Sequence, residues 1–194
     1  RDTVKVMGGE DWEAWIRLLL DNDLLDRQCY TVAYTYIGPQ VTYPIYRQGT
    51  IGRAKEHLEM TATRLHPLMQ QLDGGAYVSA NKAIVTQASS AIPAVPLYMS
   101  VLRKVLREKR LEETTIAQIA RMVHDHFSTF KPWPMPSEDG LIHLDDWEMR
   151  ADIQAEVVKI WPQVTTENLV ALTDIAGYRA EFLNLVAKAK TLKH

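Results

Sequence analysis

Tyr46 and Lys55, nine positions apart in the stretch 45–59 (IYRQGTIGRAKEHLE), are the residue types in this chain best suited to chemistry on a carbonyl. A phenol beside a primary ammonium can hold a carbonyl oxygen and deliver a proton as negative charge builds on it. At ~4 Å and an effective dielectric of ~20, the ammonium favours a phenolate by about 4 kcal/mol. Before desolvation that is roughly three pKa units, enough to make the tyrosine a readier acid near neutral pH. On one straight helix, a separation of nine turns through about 900° and leaves the side chains on opposite sides. They converge only if the backbone between them is broken. Gly49, Thr50 and Gly52 supply the break, because both glycines accept φ > 0 and cost stability inside a helix. Tyr46 is therefore expected on a loop or short turn, and Lys55 on the first turns of the helix that follows. Spacing alone is weak, since a loop tyrosine and a solvated helix lysine are commoner than a working pair.

Other residues invite chemical readings of unequal weight. Tyr36 closes a strand just before Gly38, and open α/β sheets bind ligands at the carboxyl ends of their strands. A polar-tipped aromatic there either faces a substrate or packs its ring in the core. Residues 86–91 (TQASSA) are small enough to let a ligand approach the backbone, or to let a helix pack closely on a sheet. Gly8-Gly9 lacks the G-x-G-x-x-G spacing and the Gly-Lys-Ser/Thr of a phosphate loop. In His124-Asp125-His126 the two imidazoles would point about 200° apart on a helix, so no metal is expected there. No HExxH or CxxC accompanies them, and no G-x-S-x-G elbow supports a hydrolase.

Elements that could position these residues follow from periodicity. Residues 10–24, with Trp12, Trp15, Ile16, Leu19, Leu20 and Leu24 recurring at three- and four-residue steps, read as an amphipathic helix. Residues 31–37 (TVAYTYI) read as a strand ended by Gly38-Pro39. From Ala54 the stripe Leu58, Ala62, Leu65, Met69 and Leu72 is helical, with Pro67 expected to kink or restart it near His66. Gly74-Gly75 makes a turn, and 76–86 (AYVSANKAIVT) is expected as a second strand. Pro93 and Pro96 lead into an apolar, buried helix at 97–109. Helices are expected at about 114–129, 145–160, 165–174 and 178–189, with a proline-rich loop at 130–140. Helix, strand, helix, strand, helix argues for an α/β layer with parallel strands, followed by a mainly helical cover. Residues 1–93 would form the strand and helix part, and 94–194 the cover.

At 46% hydrophobic, 24% charged and a formal net charge of −2, the 194 residues carry no electrostatic footprint for nucleic acid or an anionic membrane. No apolar run reaches the ~18 residues of a membrane span. Cys29 is alone, so a reducing cytosol is the expected compartment. The chain starts with Arg1 and reads as the later part of something longer.

Taken together, VMGGEDWE (6–13), AYTYIGP (33–39), IYRQGTIGRAK (45–55), VTQASSAIP (85–93), PLYMSVLRKVLREK (96–109) and TDIAGYRAEFL (173–183) resemble one family. It is that of the monomeric NADH-dependent trans-2-enoyl-CoA reductases and their relatives, the FabV-type enoyl-acyl-carrier-protein reductases. The resemblance implies a Rossmann-like, short-chain-dehydrogenase-like α/β fold of which this chain is the C-terminal half. It implies a proton-donor role for Tyr46, with Lys55 assisting it and reaching the cofactor. It makes Tyr36 a substrate contact, and it puts Ile84, Val85 and Thr86 on a cofactor-contacting strand end. NADH is the implied cofactor, trans-2-enoyl-CoA or an enoyl-acyl-carrier-protein the substrate, and the whole enzyme a cytoplasmic monomer of fatty acid synthesis.

There are departures. Residues 111–115 read LEETT where the family carries an H-E-G-C segment, and Arg53 stands where lysine is common. Family members are about twice as long and carry a glycine-rich dinucleotide fingerprint that nothing here matches. A non-catalytic binding or assembly module, inactive without an N-terminal half, is the competing expectation. Ketone reduction by a short-chain dehydrogenase would instead require Tyr and Lys four apart on one helix face.

Overall fold

The computed structural model describes residues 2–92, 94–128 and 136–191. In chain order the elements are α1 (Asp2–Met7), α2 (Glu10–Asp21), β1 (Tyr30–Thr35), α3 (Tyr43–Tyr46), α4 (Thr50–Gln70), β2 (Gly75–Ala80), α5 (Gln87–Ser90), α6 (Val95–Glu108), α7 (Thr115–His126), β3 (Leu141–His143), α8 (Ala151–Ile160), α9 (Leu169–Leu172) and α10 (Ile175–Thr191). They group into two compact units, one of residues 1–81 and 122–144, the other of 82–121 and 145–194.

The first unit is built on three parallel strands in the order β1-β2-β3. Tyr30 faces Gly75 and Thr35 faces Ala80 in the β1/β2 ladder, while Val78 faces Leu141 in the β2/β3 ladder. Parallel pairing is what the helix and strand alternation predicts. β2 is buried along its whole length, as expected for a parallel strand covered on both faces. That explains why its sequence does not alternate cleanly. α4 lays Leu58, Ala62, Leu65 and Met69 against it, and Leu65 and Met69 are fully buried. At ~1.5–3 kcal/mol per large apolar side chain, this stripe is a main source of the unit's stability. α2 joins through Trp12, whose indole N–H donates to Thr31 Oγ1 at 2.8 Å.

Three expectations change. The second strand stops at Ala80, so 81–86 is irregular backbone. Asn81 N donates to Thr35 O at 2.9 Å as the last rung of the β1/β2 ladder, and Ser79 Oγ donates to Asn81 Oδ1 at 2.7 Å. α4 runs through Pro67 as one element and ends at Gln70; the proline cannot donate the i→i−4 bond to Thr63 O, and the helix closes within a turn of it. β3 is a strand that the sequence reading lacks. Three residues after Gly140 are too few to show a period, and only the partner β2 defines them. Most of the proline-rich stretch 130–140, and Pro93, lie outside the described residues.

The second unit is helical. α6 buries Tyr98, Met99, Val101, Leu102, Val105 and Leu106, and α8 adds Ile153 and Val157. Asp174 caps α10 by accepting from Gly177 N at 3.1 Å, and it accepts from Arg103 Nε at 3.3 Å. No helix among the described residues is long and apolar enough to cross a membrane.

Candidate active site

The chain leaves β1 at Thr35 and turns at Gly38, whose φ of +70° is the left-handed conformation open to glycine. A side chain there is also excluded by space, since a Cβ would lie 2.3 Å from Thr42 Oγ1 and 2.7 Å from the Tyr36 hydroxyl. The bare α-carbon is the seat for the Tyr36 phenol. Thr42 then folds back, its N and Oγ1 both donating to Pro39 O at 2.8 Å, and starts the single turn of α3. Tyr46 is the last residue of that turn.

The break between Tyr46 and Lys55 is real, but its physical cause differs from the expected one. Gly49 adopts φ −103° and ψ −168°, extended backbone that any residue accepts, and caps α4. Gly52 lies inside the first turns of α4, where a Cβ would stand 2.2 Å from Arg47 O. The glycine is required for close approach of two backbone segments, not for positive φ. That contact folds α3 back on α4, so the two helices point their functional side chains to one place.

Three predicted residues meet there. The Lys55 Nζ lies 5.6 Å from the centroid of the Tyr46 ring. Tyr36 packs edge-on against the same ring, with centroids 4.8 Å apart at 88°. Tyr46 is only 7% exposed. Lys55 is half-buried and donates to Thr35 Oγ1 at 3.0 Å. An ammonium has three N–H donors; among the described residues only the bond to Thr35 uses one. Burial, with the like charge of Arg47 adding to it and Glu59 opposing, brings the Lys55 pKa down to about 8. Arg47 stands 3.6 Å from Glu59. Burial is also the main reason the Glu59 carboxyl titrates above the usual carboxylate range, with Arg47 pulling the other way.

Thr35, Arg47 and Glu59 were not singled out in the sequence. Thr35 carries one usable signal, as the last strand residue before the glycine turn. Arg47 and Glu59 carry none beyond lying in the same segment.

Ile84, Val85 and Thr86 belong to the second unit, on the irregular segment after β2. Thr86 and Ser89 cap each other, Thr86 N donating to Ser89 Oγ at 3.1 Å and Ser89 N to Thr86 Oγ1 at 3.0 Å. The small-residue run 86–91 thus starts α5. Val85 is 5% exposed, yet among the described residues no hydrogen bond engages the peptide groups of Ile84 or Val85. Buried peptide groups are rarely left unpaired. His124 pairs with its neighbour Asp125 at 2.8 Å on the exposed face of α7. Among the described residues no group of three His, Cys, Asp or Glu is placed to hold a metal.

A family model described as the trans-2-enoyl-CoA reductase catalytic region matches residues 1–127, and one described as an enoyl reductase FAD binding domain matches 137–186. An enoyl-[acyl-carrier-protein] reductase [NADH] of Flavobacterium johnsoniae is 52% identical over 184 residues, covering 95% of this chain and 46% of the relative. Its counterpart in Opitutus terrae is 51% identical over the same shares. The chain thus spans about half the length of the curated relatives it matches. Among solved structures, a Clostridium acetobutulicum trans-2-enoyl-CoA reductase in complex with NAD superposes with a TM-score of 0.89 at 45% identity, covering 94% of this chain and 47% of that one. The Treponema denticola trans-2-enoyl-CoA reductase with NAD gives 0.87 at 48% identity, covering 93% and 45%.

Proposed function

The chain belongs to the trans-2-enoyl-CoA reductase family, and from that membership we propose that it is the C-terminal, catalytic portion of an NADH-dependent reductase of trans-2-enoyl thioesters. The observation that carries the reading is the convergence of Tyr46, Lys55 and Tyr36, with Lys55 Nζ 5.6 Å from the Tyr46 ring centroid. It lies inside the stretch that matches the family's catalytic region.

NADH, when bound, supplies a hydride to C3 of the enoyl thioester. As the C2=C3 electron pair shifts, negative charge builds on the thioester oxygen. Tyr46 donates a hydrogen bond to that oxygen and provides the proton that ends at C2, leaving a saturated acyl thioester. Lys55 holds its positive charge beside the phenol as the proton leaves it, and offers its remaining N–H groups to cofactor hydroxyls. Tyr36, seated on Gly38, contacts the acyl thioester and buttresses the Tyr46 ring. The unpaired peptide groups of Ile84 and Val85 suit the polar edge of the dinucleotide.

The small pocket of the second unit has no room for a flavin. The pocket that Glu181 of the 137–186 stretch lines with Lys82, Ile84 and Arg103 holds about 50 Å³, room for water rather than for a fused ring system. The reading carries with it a cytoplasmic, monomeric whole enzyme, and either enoyl-CoA or an enoyl-acyl-carrier-protein as substrate.

Tyr46→Phe in a full-length reductase containing this chain tests the assignment. Turnover should fall by about 10²–10⁴-fold, the usual worth of a positioned general acid, while NADH affinity stays within about twofold of the parent by fluorescence titration. Near-normal turnover would refute it.

A further inference from the structure

Glu148 is fully buried in the turn between β3 and α8, a position no part of the proposed mechanism uses. Both carboxylate oxygens are taken. Oε2 accepts from the backbone N–H of Ala83 at 2.6 Å, and Oε1 accepts from the Tyr98 hydroxyl on α6, also at 2.6 Å. The turn that carries Glu148 is itself held from several sides. Arg121 pairs with Asp146 at 3.0 Å and lies over the Trp147 ring at 4.9 Å, and Gln154 Nε2 donates to Glu148 O at 2.7 Å. Asp145 O accepts from Met149 N at 2.8 Å and closes the turn.

What Glu148 grips is informative. Ala83 immediately precedes Ile84 and Val85, on a segment outside any strand or helix. On its far side that segment is fixed by the reciprocal Thr86 and Ser89 cap. Between the two anchors the peptides of Ile84 and Val85 carry no hydrogen bond among the described residues. A backbone stretch pinned at both ends and unpaired in the middle is preorganised to receive a ligand, and its upstream pin is a single buried side chain.

We propose that Glu148, with Tyr98 steadying it, is a positioning residue that holds Ile84 and Val85 in the conformation that binds the dinucleotide. This rests on the cofactor role proposed for Ile84 and Val85. The working feature is reach, not charge. A glutamine keeps the length and can accept from Ala83 N–H while donating to the Tyr98 oxygen. An aspartate keeps the charge but is one methylene too short to span both partners.

NADH titration of a full-length reductase containing this chain separates the possibilities. Glu148→Asp should raise the NADH dissociation constant by about tenfold, with the KM for enoyl thioester little changed, and Glu148→Gln should stay within about twofold. In the 194-residue chain itself, amide exchange across 83–86 should quicken in Glu148→Asp and not in Glu148→Gln. Equal weakening by both variants, or the reverse order, overturns the proposal, as does unchanged affinity in Glu148→Asp. If Glu148→Asp does not fold, Tyr98→Phe carries the test, with a two- to fivefold rise expected and no rise counting against us. Ile84→Ala separates this proposal from the reading beneath it. Weaker NADH binding in Ile84→Ala but not in Glu148→Asp sinks the positioning role alone. Unchanged binding in Ile84→Ala sinks the cofactor role of the segment as well.

Discussion

At the scale of single residues, the site's behaviour turns on the charge of Lys55. Desolvation brings its pKa from 10.5 to about 8, with Arg47 pushing the same way. Below pH 8 the ammonium stands beside Tyr46; as pH rises through 8 it is lost. The kcat/KM of a full-length reductase should therefore fall on an alkaline limb with its midpoint near 8. Lys55→Arg, which cannot deprotonate in this range, should move that limb upward while lowering the maximum. A pH profile that stays flat to the ordinary lysine value of 10.5 in the parent would contradict the assignment. Stability moves the other way. Between about 8 and 10.5 the unfolded chain binds this proton and the folded chain does not, so the Lys55 contribution rises with pH across that window. The pair was legible only through the family resemblance, because its spacing alone fits an unrelated loop tyrosine and helix lysine equally well. Thr35, which takes one Lys55 N–H, was not, because strand register decides which side chain lies opposite.

Elements explain why the broken helix works. The segment from Tyr46 to Lys55 was readable as a hinge because two glycines fall in four residues. The reason for each glycine was not readable, since φ and close approach leave the same mark in a sequence. The structure separates them. Gly49→Ala meets nothing nearer than 3.8 Å and sits on extended backbone, so a change within ~0.5 kcal/mol is expected. Gly52→Ala drives a Cβ to 2.2 Å from the Arg47 carbonyl, an overpacking worth about 1–3 kcal/mol. Thermal unfolding of the 194-residue chain followed by circular dichroism checks this. The Gly52→Ala midpoint should drop by several degrees at ~2–4 °C per kcal/mol, and that of Gly49→Ala should hardly move. Equal midpoints would mean that the backbone approach at Arg47 does not set the angle between α3 and α4. The same lesson applies to the strands. β1 was legible from its β-branched, aromatic run, whereas the end of β2 depends on where its ladders with β1 and β3 stop, and β3 exists only as a partner to β2.

For the molecule as a whole, the 194 residues hold a candidate donor pair and a candidate cofactor-contact segment but no G-x-G-x-x-G turn. In dinucleotide enzymes that turn opens a helix whose N-terminal N–H groups and dipole bind the pyrophosphate. The relatives bound to NAD are about twice as long as this chain. Lys55 and the peptides of Ile84 and Val85 offer a few hydrogen bonds at ~1 kcal/mol each, far short of the roughly 8 kcal/mol of a micromolar complex. The chain by itself should therefore bind NADH no better than about millimolar and reduce no enoyl thioester. Adding the N-terminal half of a relative, in trans or joined, should tighten NADH binding and start turnover together, because the pyrophosphate site and the donor pair would then act on one ligand. Titration, steady-state assay and light scattering on the same mixtures distinguish the readings. A complex that forms without turnover would favour a non-catalytic assembly module. Micromolar NADH binding by the chain alone would mean that these residues hold an anion site of their own.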